Sequence, residues 1–257
     1  MQIRIWCFRT SDFCPLNSSL YALKQNFFSV ILSKIGRTMT TLDKVLEIKS
    51  QIMHRANGEV AENMRLAGII YKVNYGVPIP MLKDLAKPYM GDHELALELY
   101  REDIRECKIL ASLIADPEKL TGEQIDEWAT EFTNPEIVEQ VCANLLWKSE
   151  FALSRSIEWC LSSDELMRKA GLLIIARKAS DTSLKESLLE PYIGIVENMA
   201  EEMTDLTQSA ARFALREIAK RSPALAAKVS ETASRMTESE NELAAWVGNE
   251  LLFELAE

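Results

Sequence analysis

The sequence predicts an all-α fold, a solenoid of stacked helix pairs with a concave face. Three observations carry the prediction. Nine glycines and eight prolines are few for 257 residues, while the strong helix formers Leu, Ala and Glu are abundant. A polar cap followed by proline recurs at Asp116-Pro117, Asn134-Pro135 and Ser222-Pro223. In each, the cap oxygen satisfies a free backbone N–H and proline at the first helical position loses nothing. Few segments show the alternation that a strand requires.

The elements follow in order. Thr41 caps a helix running to about Ala56, and a second spans Glu59 to Lys72. Asn74-Tyr75-Gly76-Val77-Pro78-Ile79-Pro80 reads as a turn leading into a proline-started helix. Gly91-Asp92 opens another helix, with Leu95 and Leu99 on one face. Helices around Ile104–Ala115 and Ile137–Trp147 come next, the first followed by a new start at Asp116-Pro117-Glu118. Ser162-Ser163-Asp164 is a polar break before a helix containing Arg168 to Lys178. Setting Lys169-Ala170-Gly171 over Ser209-Ala210-Ala211 aligns two small-residue helices 40 residues apart, and Ile175 then falls on Leu215. That spacing is one helix pair of a HEAT-type array, in which stacked pairs bury a continuous core. The Ile104–Ala115 and Ile137–Trp147 helices are spaced less regularly. The last helix, about Glu240 to Leu255, carries Leu243, Val247, Leu251 and Leu255 on one stripe and caps the stack.

Residues 39–257 read as one HEAT-like repeat domain. Residues 1–38 carry Arg4, Arg9, Lys24, Lys34 and Arg37 against the single acid Asp12. They read as a poorly structured or misassigned extension ahead of a natural start at Met39. No apolar run reaches the ~18 residues that span a bilayer, so no membrane partner is expected. Five cysteines with no CxxC pair fit reduced, partly buried thiols of a cytoplasmic protein. Only His54 and His93 are present, too few for a zinc site or a His-based triad; no metal and no cofactor are implied.

The net charge of −10 makes non-specific phosphate binding a poor default. Two clusters depart from that balance. The window Arg168 to Lys178 holds four cations and no acid. Arg212, Arg216 and Lys220 recur at i, i+4 and i+8 with Arg221 beside them, while Leu206, Ala210, Phe213 and Ala214 face the other way. These cations form either a basic groove for a phosphate backbone or a solvated helix face favoured near a helix C-terminus.

From about residue 45 to 235 the chain resembles the AlkD-like alkylpurine DNA glycosylases, which are HEAT-like repeat proteins. The residues that carry the resemblance include Tyr75-Gly76-Val77-Pro78-Ile79-Pro80, Ile109-Leu110-Ala111-Ser112-Leu113-Ile114-Ala115-Asp116-Pro117, Val138-Glu139-Gln140-Val141-Cys142-Ala143-Asn144-Leu145, Glu158-Trp159, Arg168-Lys169-Ala170-Gly171 and Phe213 to Arg221. The resemblance implies excision of cationic N3- or N7-alkylated purines from duplex DNA. An aspartate there stabilises an oxocarbenium-like state, two tryptophans pack against the lesion and an arginine holds the backbone. The aspartate falls on Glu139, the expected catalytic residue. The arginine falls on Lys169, with Arg168 adjacent, and the second tryptophan on Phe213. The first tryptophan falls on Pro135, which has no aromatic face. The expected DNA contacts are therefore Arg168, Lys169, Phe213, Arg212, Arg216 and Lys220. Three functions fit: an alkylpurine DNA glycosylase, a non-catalytic DNA-binding paralogue, and a scaffold whose concave face takes a protein partner.

Overall fold

The computed structural model describes residues 39–256. The N-terminal extension expected over residues 1–38 lies outside them, as do Cys7 and Cys14. By its contacts the chain divides into units 1–43 and 44–257, and the description that follows concerns the second apart from the first turn of α1.

Thirteen α-helices make up the described residues: α1 Thr41–His54, α2 Gly58–Leu66, α3 Ile79–Ala86, α4 His93–Tyr100, α5 Arg105–Ile114, α6 Gly122–Ala129, α7 Pro135–Asn144, α8 Ala152–Cys160, α9 Glu165–Ala179, α10 Glu190–Asn198, α11 Gln208–Ala219, α12 Pro223–Met236 and α13 Glu242–Ala256. No strand occurs among them, only an isolated bridge between Val73 and Ile104. The all-α HEAT-like reading is thus the observed one.

The helices pack as two rows. In one row α3, α5, α7, α9, α11 and α13 each lie against the next, and from the other side α4 packs on α5, α8 on α9, α10 on α11 and α12 on α13. The helices of the first row from α5 on start at residues 105, 135, 165, 208 and 242. The first three are therefore evenly spaced, against the irregular spacing expected for them, and at a shorter period than the later pair suggested. Between α9 and α11 the chain adds two short 3₁₀ segments, Glu186–Leu188 and Ala200–Glu202, which lengthen that repeat.

Most helix starts follow local cap chemistry. Asn134 Oδ1 accepts the N–H groups of Glu136 and Ile137, Ser222 Oγ accepts that of Leu225, and Asp92 Oδ1 accepts that of Leu95. Three boundaries differ from expectation. Thr40, not Thr41, caps α1, its Oγ1 accepting the Asp43 N–H. Helix α2 stops at Leu66, short of Lys72, because Gly68 takes φ +80° and turns the chain away. Asp116-Pro117-Glu118 starts no helix. The Asp116 carboxylate closes a turn on the Glu118 N–H, and α6 begins later, where Thr121 and Gln124 form a reciprocal capping box.

Small residues set how closely rows meet. A Cβ on Gly171 would lie 2.7 Å from Cys160 N and Ser156 O, both on α8. Ser156 Oγ donates to Gly171 O across the same crossing at 2.8 Å. Gly171→Ala is expected to cost about 1–3 kcal/mol through overpacking, read as a lowered urea midpoint with an unchanged slope. An unchanged midpoint would show that α8 and α9 can separate freely.

Candidate nucleic-acid interface

The start of α7 is held by a buried polar cluster. Arg105 on α5 is 3% exposed and Glu106 beside it is fully buried. Arg105 donates from Nε and Nη2 to the two carboxylate oxygens of Glu136, at 2.8 and 2.6 Å, and from Nη1 to Val77 O and Glu106 Oε1. Glu106 accepts the backbone N–H groups of Tyr75 and Val77. The Tyr71 hydroxyl donates to Glu136 Oε2 at 2.9 Å, and Asn134 Nδ2 donates to Ile70 O. Burial, together with the Glu136 charge, pushes the Tyr71 hydroxyl far up, so it stays a donor. Burial opposes the Arg105 charge, and the Glu136 pair more than offsets it. The segment from Ile70 to Val77 is thereby clamped onto the N-terminus of α7, where Pro135 occupies the first helical position. Gly76 takes φ +69° within it, and a Cβ there would meet Asn57 O at 2.1 Å.

One turn further along α7, Glu139 is half-exposed and pairs with Lys169 Nζ at 2.7 Å; the Lys169 side chain is only 10% exposed. The expected catalytic residue and one expected DNA contact are thus in direct contact. Arg168 turns elsewhere, to Glu202 in the segment before α11, at 2.8 Å.

The cations of α11 each carry a carboxylate. Arg212 Nη1 lies 2.8 Å from Glu254 and 3.4 Å from Glu250, both on α13. Arg216 meets Glu217 at 3.1 Å and Glu254 at 3.8 Å, and Lys220 meets Glu217 at 2.8 Å. Burial pushes the Glu217 carboxyl up, but its bonds to Lys220 and Arg216 prevail and hold it below the usual carboxylate range. Phe213 does not face away from these cations as expected; three residues before Arg216, it shares their side of α11. The Arg216 guanidinium lies 5.3 Å from its ring centroid and that of Arg177, on α9, 5.9 Å. Arg177 is exposed and, among the described residues, has no carboxylate partner. Arg212 sits 5.4 Å from the ring of Trp246 on α13, a partly exposed aromatic that the sequence reading passed over.

Trp128 and Trp159 are core residues, the first stacked on Tyr100 at 3.9 Å and the second edge-on to Phe132. Trp147 is half-buried and its indole N–H donates to Ala143 O. Cys107, Cys142 and Cys160 are free and buried, and burial pushes the Cys107 and Cys160 thiols up to about 12, so they stay protonated. Among the described residues no group of three or more His, Cys, Asp or Glu is placed to hold a metal ion, and no helix is long and apolar enough to cross a membrane.

A solved structure of "a new family of proteins related to the HEAT-like repeat DNA glycosylases with affinity for branched DNA structures" superposes with a TM-score of 0.66 at 22% identity. The match covers 73% of this chain and 81% of that one, and it shows a common fold. Among curated proteins, none matches the chain. The family described as DNA alkylation repair enzyme matches residues 48–243, which take in α5, α7, α9 and α11 with every paired cation described above. The chain belongs to the DNA alkylation repair enzyme family.

Proposed function

We propose that this chain binds duplex DNA through α7, α9 and α11, with Lys169 and the α11 arginines meeting the phosphate backbone and base excision absent or vestigial. The observation that carries this reading is the Lys169–Glu139 ion pair. The resemblance assigns its backbone-holding arginine and its aspartate to these two positions, and here they neutralise one another. A glutamate tied to a nearly buried lysine is poorly placed to stabilise a developing sugar cation, because only charge aimed at the transition state accelerates it. The proline at residue 135 removes the ring that would hold a cationic base. Phosphate, by contrast, asks only for cations in the right row. The affinity for branched DNA stated for the structural neighbour is in keeping with binding, and junctions with duplex arms belong among the substrates to test.

The test is a paired assay of binding and base release on one duplex carrying an N7-alkylated purine. Glu139→Gln is expected to tighten binding, because Lys169 is freed, and to leave base release at the level of the unmutated protein. A fall in release of about a hundredfold or more on that substitution would instead assign Glu139 to catalysis.

The net charge of −10, with a carboxylate on every expected cationic contact, favours one second reading, a scaffold for a protein partner. It predicts no DNA binding even at low salt.

A further inference from the structure

Both carboxylates on Arg212 come from the last helix, and one of them also reaches Arg216, whose nearer partner is Glu217 on α11 itself. Glu254 Oε1 lies 2.8 Å from Arg212 Nη1 and 3.8 Å from Arg216 Nη1, so one carboxylate serves two guanidiniums, and Glu250 reaches Arg212 from one turn earlier at 3.4 Å. The second oxygen of Glu254 is buried with no hydrogen-bond partner among the described residues. The clasp is therefore under-satisfied on its acidic side. The Arg212 and Arg216 side chains remain 29% and 32% exposed, and each is stacked on its own ring, Trp246 or Phe213. Those rings would keep the guanidiniums in place if the carboxylates withdrew.

We propose that Glu250 and Glu254 on α13 act as an internal stand-in for phosphate, masking Arg212 and, alongside Glu217, Arg216 until a DNA backbone displaces them. This deepens, and rests on, the DNA-binding reading. The chemistry is an exchange of one anion for another. Carboxylate and phosphate both present paired oxygens to a guanidinium, and a part-buried pair whose arginine keeps contact with solvent can exchange one for the other. The tethered carboxylates are always close by, so they lower apparent affinity by the fraction of time they hold the arginines. The mask also explains how an acidic chain carries a phosphate site without binding every polyanion. Any partner that moved α13 would raise DNA affinity with no new contact to DNA.

The experiment measures duplex binding by anisotropy for the unmutated full chain and for Glu250→Gln/Glu254→Gln. The control is Glu59→Gln/Glu238→Gln, which changes net charge equally at exposed glutamates with no ion pair among the described residues. The masked-arginine account expects the α13 variant to bind about tenfold more tightly, with a salt slope steeper by about two, and the control to change little. In a background of Arg212→Ala/Arg216→Ala the gain should vanish. An equal gain in the control, or a gain that persists in that background, overturns the proposal. Binding by the unmutated chain with no gain in the α13 variant overturns the mask and leaves the DNA reading standing. Absence of binding by both overturns both. Melting curves confirm that the variants are folded.

Discussion

Arg105→Ala is expected to cost about 3–5 kcal/mol of stability, the largest effect of any single substitution considered for this chain. The guanidinium is the hub of a cluster that takes in a fully buried Glu106 and both oxygens of Glu136. Removing it leaves the Glu106 charge in the core with only the Tyr75 and Val77 N–H groups, and leaves the Ile70–Val77 segment tied to the start of α7 only through Ile70 and Tyr71. For a domain of this size that is a fall in melting temperature of roughly 2–4 °C per kcal/mol. Arg105→Lys should recover only part of the loss, because an ammonium cannot replace the two-pronged contact with Glu136. A melting temperature within about 2 °C of the unmutated protein for Arg105→Ala would show that the cluster is dispensable.

Arg212→Ala/Arg216→Ala is expected to weaken duplex binding by about tenfold or more and to flatten the salt dependence by about two units, one for each lost phosphate contact. Some stability should be lost as well, since the pairs with Glu250 and Glu254 are part-buried and Glu254 is left without its cations, so binding is compared at a temperature well below the melting point of the variant. Weakening should be uniform across sequences, because backbone contacts carry no base information. Affinity and slope both unchanged would remove α11 from the interface.

What could be read in the sequence was local. Asn134, Ser222 and Asp92 act within three residues of themselves, so their cap roles are visible in a single line of sequence. The small residues Ala170, Gly171, Ala210 and Ala211 marked the tightly packed helices for the same reason. Asp116-Pro117 misled because an Asx turn and a helix cap share one signature, and the capping box at Thr121 and Gln124 competes a few residues on. The early stop of α2 was announced by Gly68, but the apolar run Ile69-Ile70-Tyr71 directly beyond it read as more of the same helix. Charge partners were the least legible. Glu254 lies 42 residues from Arg212, and Glu136 lies 31 from Arg105, so nothing nearby ties them together. The Arg168 to Lys178 window looked unpaired because the partners of Lys169 and Arg168, Glu139 on α7 and Glu202 ahead of α11, lie on other elements. The same distance effect hid Trp246 beside Arg212, whereas Phe213 lies among the cations for a local reason, three residues before Arg216 on α11.

Contact between duplex DNA and the row of helices that holds Lys169 and the α11 arginines is the property proposed for this member of the DNA alkylation repair enzyme family. Its most direct test is the dissociation constant of the unmutated chain for a fluorescent duplex, measured from about 50 to about 200 mM salt. Binding is expected at the low end, with a logarithmic slope of about −2 to −4 set by Lys169, Arg212, Arg216 and Arg177 meeting phosphates. No detectable binding at the lowest salt, or a slope of zero, would contradict it.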